Sequence, residues 1–348
     1  MPKPLTLTIA IPYYKQKKYL KYLLDTISNL NTNSLEVLIV DDASNDNVEE
    51  VIDKYQIPNL YLHKLKQNCG ISTNANQYVK HAKGKYIMVI PADDNFVPEK
   101  ITKQIAFLEQ NPNIGACFSY CKLIDEKNNF IKLSKNLLAN KYQKIFRQKN
   151  KSREGWLNHF FYEGNCICGP SGIIRKECFD KIGNFDTRLL SLQDFDLLVR
   201  ILISGYNIHI IPEELTYYRI HNHNLSKPNK SSYIRSVYEN IKILKNYQNL
   251  STKDINKIFP DHKFGKLHNS LIPYYLAQLA LKKNDHIRNQ YAINTLFDLL
   301  NNEKVEKLLI TKYNFTPKDF SLLLGKSRIL NSFYTNPLFQ LKRCLKKI

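Results

Sequence analysis

Two pairs of adjacent carboxylates, Asp41-Asp42 and Asp93-Asp94, each follow a run of apolar, β-forming residues. Residues 35–40 read Leu-Glu-Val-Leu-Ile-Val, and residues 86–90 read Tyr-Ile-Met-Val-Ile. A strand that ends in acids sets hard oxygen ligands at the C-terminal edge of a sheet, where open α/β sheets take their ligands. Such oxygens suit Mg2+ or Mn2+. A carboxylate there can equally accept hydrogen bonds from a nucleobase or a ribose. Taken singly, each pair is also good turn chemistry. Asn68-Cys69-Gly70 follows another apolar run, and its amides could approach phosphate oxygens where glycine permits it. Asp194 opens a helix at Gln193-Asp194-Phe195-Asp196, as a cap or as a general base facing a crevice. His221 follows a strand, with Arg219 two residues before it, and is a structural residue or a metal ligand.

Such residues act only if the fold brings them to one place. Strands are predicted over residues 5–11, 35–40, 60–65 and 86–90, alternating with helices over 15–30, 48–55, 71–82 and 98–110. The first helix puts Leu20, Leu23, Leu24 and Ile27 on one face. Gly84 is expected to close the third, and Pro98 opens the fourth. This alternation implies a mostly parallel sheet with helices on both faces. The ends at Tyr13-Tyr14, Asp41-Asp42, 68–70 and Asp93-Asp94 then converge on one edge.

Further along, strands are expected over 114–124, 172–175, 208–211 and 215–218. Helices are expected over 176–182, ending at Gly183, and 193–204, stopped at Gly205. Residues 125–153 read as a polar, lysine-rich loop with a helical piece, and 156–162 are aromatic and apolar. Beyond 226 strand signals vanish. Helical patterns over 232–247, 270–281, 287–300, 303–313 and 317–324 replace them. Two domains are expected, 1–225 and 226–348.

An apolar fraction of 43% over 348 residues supports a packed core. No stretch approaches the roughly 18 apolar residues of a membrane span. Met1-Pro-Lys-Pro opens no signal peptide. Seven cysteines without framework spacing suggest reduced thiols and a cytoplasmic protein. Cys166 and Cys168 lack a second pair at zinc-site spacing, so zinc is not expected. The formal charge of +20 suits an anionic partner, and a lysine-rich surface bias explains it equally well. After Asp319 no acid occurs, and residues 331–348 mix Phe333, Tyr334, Leu338 and Phe339 with Lys342, Arg343, Lys346 and Lys347. This segment is either an amphipathic contact with an anionic membrane face or a terminal helix packed on the helical domain. No Gly-x-Gly-x-x-Gly follows the first strand, and no Walker lysine loop or nucleic-acid-binding motif occurs.

In order along the chain stand Ile9-Ala-Ile-Pro-Tyr-Tyr, Val37-Leu-Ile-Val-Asp-Asp-Ala-Ser, Asn68-Cys-Gly, Gly84-Lys-Tyr-Ile, Pro91-Ala-Asp-Asp-Asn, Gly183-Asn-Phe-Asp, Leu192-Gln-Asp-Phe-Asp-Leu-Leu-Val-Arg and Tyr218-Arg-Ile-His. Each is weak alone. The ordered set, covering about residues 5–225, resembles the family 2 (GT2) glycosyltransferases of the GT-A fold. That resemblance implies an α/β, Rossmann-like, mixed and mostly parallel sheet with a C-terminal α-helical region. It implies an inverting, metal-dependent transfer of a hexosyl or N-acetylhexosaminyl unit from a nucleotide-sugar, a UDP-sugar in the usual case. The acceptor would be a glycan or lipid-linked glycan of surface polysaccharide synthesis. The enzyme is expected in the cytoplasm, reaching the inner face of the cytoplasmic membrane only where residues 331–348 are the amphipathic contact.

By the same resemblance, Pro12, Tyr13 and Asp41 hold the nucleobase. Asn68 and Gly70 line the nucleotide pocket, and Tyr14 and Asn74 belong to that set. Asp94 and His221 hold Mn2+ or Mg2+, Asp93 reaches the ribose or lies behind the ligands, and Asp194 is the general base. Two positions depart from the family: Pro91 replaces the usual first acid of its metal motif, and Gln193 replaces the glutamate before the base. A sugar nucleotidyltransferase would carry a glycine-rich, basic loop where Pro12-Tyr13-Tyr14 stands. A non-catalytic nucleotide- or nucleic-acid-binding module is the remaining alternative, and no nucleic-acid partner is expected.

Overall fold

The computed structural model describes residues 5–132, 137–222, 224–225, 230–262 and 268–326. The chain separates into two units, Met1–Ser236 and Val237–Ile348. The first opens with β1 (Leu7–Tyr13), α1 (Lys17–Ser28), β2 (Leu35–Asp41), α2 (Glu49–Ile52), β3 (Leu60–Lys64) and α3 (Ile71–His81). There follow β4 (Tyr86–Val89), the two-residue β5 (Asn95–Phe96), α4 (Glu99–Gln110), β6 (Ile114–Ile124), α5 (Leu137–Phe146) and α6 (Arg153–Glu163). The unit continues with β7 (Ile173–Arg175), α7 (Lys176–Ile182), α8 (Gln193–Ile203) and β8 (Asn207–Arg219). β2 is buried along its whole length, as a strand covered on both faces must be. α1 buries Tyr19, Leu20, Leu23, Leu24 and Ile27, the stripe its helical spacing predicts.

The sheet order is β3-β2-β1-β4-β7-β6-β8-β5. β1 pairs parallel with β2 and β4, and β2 with β3. β7 runs antiparallel to β4 and to β6. Two reversals therefore return β6 to the direction of β4, and β8 lies parallel to β6. The C-terminal ends of β1, β2, β3, β4 and β8 consequently share one edge. This is the mixed, mostly parallel α/β sheet expected.

Several local expectations change. Residues 156–162 belong to the helix α6, which Ser152 caps by accepting from the Gly155 amide at 3.0 Å. The strands expected at 208–211 and 215–218 are one strand, β8. Its register against β6 jumps from Ile211 to Glu214, passing over Pro212, which has no N–H to give the ladder. α2 is a single short helix rather than the full 48–55. Gly84 does not cap α3, which ends at His81. A β-carbon at Gly84 would lie 2.4 Å from the Thr8 amide nitrogen, so this glycine serves a close backbone approach. Gly183 and Gly205 do end α7 and α8 with φ of 80° and 103°.

The second unit is helical: the end of α9 (Lys230–Leu244), α10 (Thr252–Ile258), α11 (Ile272–Lys283), α12 (His286–Leu300), α13 (Glu303–Tyr313) and α14 (Pro317–Lys326). α10 was not expected; Ser251 and Asp254 form its capping box. Tyr275, Leu276 and Leu279 of α11 and Tyr291 and Leu296 of α12 are fully buried. The division after Ser236 falls inside α9, whereas the expected boundary at 226 lies outside the described residues. So does the basic segment 331–348. Among the described residues no helix is long and apolar enough to cross a membrane, and the described cysteines are free.

Candidate active site

After β4 the chain turns through Asp93 and Asp94 into β5, and both acids are buried. Asp94 Oδ1 accepts the Arg219 backbone N–H at 2.8 Å. Asp93 Oδ2 lies 2.8 Å from His221 Nε2. The Arg219 side chain donates to the carbonyls of Asp93 and Asp125, each at 2.6 Å, and to Asn128 Oδ1. Its guanidinium also lies over the rings of Tyr19 and Tyr22, 4.8 and 5.6 Å from their centroids. One fully buried arginine thus clamps the acid turn to the end of β8. Burial holds the Asp94 carboxyl well above the usual carboxylate range, and the Asp93 charge adds to this against Arg219 and Lys100. An acid in that state beside a second carboxylate favours a proton or a cation.

Asp194 stands in the first turn of α8. Its Oδ1 accepts the Phe195 amide at 2.7 Å. Its Oδ2 faces Gly169, where a β-carbon would come within 2.7 Å. Gly169 belongs to a 3₁₀ turn, Gly169–Ser171, held from α4. Lys100 Nζ donates to Pro170 O at 2.9 Å and Gln104 Nε2 to Ser171 O at 2.9 Å. Burial pushes the Lys100 amine down to about 8, while nearby thiols and Asp94 oppose that shift. Tyr78 in α3 is fully shielded, and burial, then the Asp194 charge, raises its hydroxyl pKa.

The nucleotide-side residues surround the ends of β1 and β2. Tyr13 is buried and its hydroxyl donates to Asp46 Oδ2 at 2.5 Å; burial and that carboxylate raise its pKa. Asp46 Oδ1 is buried and has no hydrogen-bond partner among the described residues. Asp41 accepts the Ser44 amide at 3.0 Å and the Ser44 hydroxyl. Asp42 accepts the Cys69 and Gly70 amides at 2.7 and 3.1 Å. The amides expected to approach phosphate oxygens are therefore spent on Asp42, which ties the 68–70 loop to β2. Asn74 donates to Val40 O at 3.0 Å, and its Oδ1 is buried without a partner among the described residues. Pro12 is half-buried, while Tyr14 and Asn68 are exposed.

The fold thus joins Asp93, Asp94 and His221, and separately Tyr13, Asp41, Asn74 and the 68–70 loop. His221 meets Asp93 rather than Asp94. Asp194 connects to the acid pair through Gly169, Pro170 and Lys100. Sequence reasoning singled out Asp41-Asp42 but missed the loop-fastening role of Asp42, and it missed Asp46, Lys100, Gly169 and the clamp role of Arg219. Helical spacing could have found Lys100: with Gln104 and Leu108 it falls at i, i+4 and i+8 on the buried face of α4.

The family described as "Glycosyl transferase family 2" matches residues 8–181. An uncharacterised glycosyltransferase of Methanocaldococcus jannaschii is 30% identical over 260 residues, covering 74% of this chain and 82% of that protein. One of Haemophilus influenzae is 31% identical over 219 residues, 62% of this chain and 68% of that protein. Among solved structures, S. aureus TarS 1-349 in complex with UDP superposes with a TM-score of 0.53 at 17% identity, covering 87% of this chain and 83% of that one. The mannosyltransferase PcManGT of Pyrobaculum calidifontis, in complex with GDP-Man and Mn2+, gives 0.52 at 16% identity over 97% of this chain and 90% of that one. At such identities these likenesses concern the fold.

Proposed function

Since this chain belongs to glycosyl transferase family 2, we propose that it is a metal-dependent, inverting glycosyltransferase that moves a sugar from a UDP-sugar to a glycan or lipid-linked glycan acceptor. The meeting of the β4 and β8 ends carries this reading: a buried acid pair under one clamp, with His221 on Asp93 and the Arg219 amide on Asp94. Asp94 and His221 would hold Mn2+ or Mg2+, with Asp93 beside them. Among the described residues no three His, Cys, Asp or Glu side chains are arranged to hold a metal. Diphosphate oxygens and water would complete such a shell, as is usual for Mg2+ sites. When bound, the ion would neutralise charge developing on the leaving diphosphate.

Tyr13, Asp41 and the half-buried Pro12 would hold the nucleobase, with Tyr14, Asn68, Gly70 and Asn74 around the rest of the nucleotide. Asp194 would take the acceptor hydroxyl proton. The acceptor oxygen bonds the anomeric carbon as the bond to the diphosphate breaks on the opposite face, which inverts that centre. The basic, apolar residues 331–348 would bring the enzyme to the anionic inner face of the cytoplasmic membrane, where lipid-linked acceptors of surface polysaccharide synthesis reside.

The test is a thermal-shift screen of UDP-glucose, UDP-galactose, UDP-N-acetylglucosamine and GDP-mannose with and without Mn2+, followed by turnover with candidate acceptors. A Mn2+-dependent shift with one UDP-sugar is expected. Asp194→Asn should lower transfer by about 10²–10⁴-fold while UDP affinity is kept. Near wild-type transfer in that variant would overturn the assignment of the base.

A further inference from the structure

Lys100 is fully buried yet carries an amine, and neither the nucleotide side nor the acid pair needs it as a ligand. A hydrocarbon of the same shape would avoid the desolvation of that group. What the amine does is specific. It donates to Pro170 O at 2.9 Å, while Gln104, one turn further along α4, donates to Ser171 O and Cys117 O, both at 2.9 Å. Ser171 Oγ closes the turn onto Cys168 O at 2.7 Å. The polypeptide so fixed presents Gly169 to Asp194 Oδ2, with no room for a β-carbon between them.

Given Asp194 as the base, we propose that Lys100 and Gly169 are its positioning residues: Lys100 holds the 168–171 turn where bare glycine backbone faces the carboxylate and leaves the acceptor hydroxyl its approach. α4 begins five residues after Asp94. A single helix then sets both the metal turn at its start and, through Pro170, the wall beside the base.

The experiment compares Gly169→Ala, Lys100→Met, Asp194→Asn and a control, Gly325→Ala, whose β-carbon meets nothing within 4 Å. With the UDP-sugar and acceptor found by the screen, Gly169→Ala should lower kcat about 10–100-fold with the affinity for UDP and Mn2+ unchanged. A β-carbon against the carboxylate desolvates its charged form, so the acid limb of the kcat–pH profile should move to higher pH. Lys100→Met should lower kcat about tenfold while its melting temperature holds or rises. Wild-type kcat and an unmoved acid limb in Gly169→Ala, or a lower melting temperature with unchanged kcat in Lys100→Met, would overturn the inference while an inactive Asp194→Asn still upheld the base. Turnover in Asp194→Asn would overturn both.

Discussion

Asp41-Asp42 and Asp93-Asp94 look alike in the sequence, and both stand where a parallel strand ends at the same sheet edge. Their surroundings differ in kind. Three backbone amides and a hydroxyl satisfy Asp41 and Asp42, and the second of the pair fastens the 68–70 loop. Asp93 and Asp94 meet an imidazole, an arginine and a distant buried amine, and burial drives Asp94 toward protonation. A carboxylate whose oxygens are taken up by backbone amides and a hydroxyl, near or far in the chain, is architecture. Asp93 and Asp94 meet one imidazole and one backbone amide from the end of β8, which leaves oxygens available for a ligand. What separates a turn from a site is thus the number and kind of its partners, which a dipeptide does not reveal.

The contrast can be broken experimentally. Its largest consequence is for Asp94→Asn. Turnover should fall about 10²–10³-fold, while metal-free stability at neutral pH holds or rises, because a carboxyl whose ionised form burial disfavours gives way to a neutral amide whose oxygen can still accept from Arg219. A melting temperature that drops with little change in turnover would make this pair architectural as well. Asp42→Asn should do the reverse. One of the Cys69 and Gly70 amides is left without an acceptor, and urea unfolding should show a loss of about 1–3 kcal/mol. Unchanged stability there would remove the distinction from the other side.

A smaller effect concerns Lys100. Its folded amine sits at about 8, below the ordinary 10.5, because of burial. Between those values the unfolded chain binds more protons, so stability rises with pH across the window. Asp94 and the thiols of Cys117, Cys121 and Cys168 face the same amine, but Lys100→Met cancels only the lysine's own term. Wild type should therefore gain on Lys100→Met by up to about 3 kcal/mol between pH 8 and 10.5. A gap in urea midpoints that stays constant over that range would show the amine to be unperturbed.

The parallel half of the fold was legible because buried strands and amphipathic helices announce themselves by composition and period. β4's acids, α8's entry at Asp194 and His221 after β8 could each be placed at a strand or helix end. Partners could not. Nothing local in Tyr218-Arg-Ile-His says that Arg219 runs inward to the Asp93 carbonyl, and nothing in Cys168-Gly-Pro-Ser says that Asp194 will lie against its glycine. Pro212 concealed the continuity of β8, because a ladder that skips two residues looks like two short strands. Gly84 was misread for the opposite reason: its position suits a helix cap, while the constraint comes from Thr8 on another strand.

The Arg219 clamp also has a consequence for the order of synthesis. A nascent chain exposed only as far as residue 206 already contains β1 to β4, whose parallel pairings need nothing later in the chain. It has the Asp93-Asp94 turn but neither the guanidinium that ties it down nor the imidazole that faces it. An enzyme interrupted there would be a sheet with an open end, able to pair its first strands yet carrying two acids without their counterparts. The last strand to emerge is what turns the scaffold into a site.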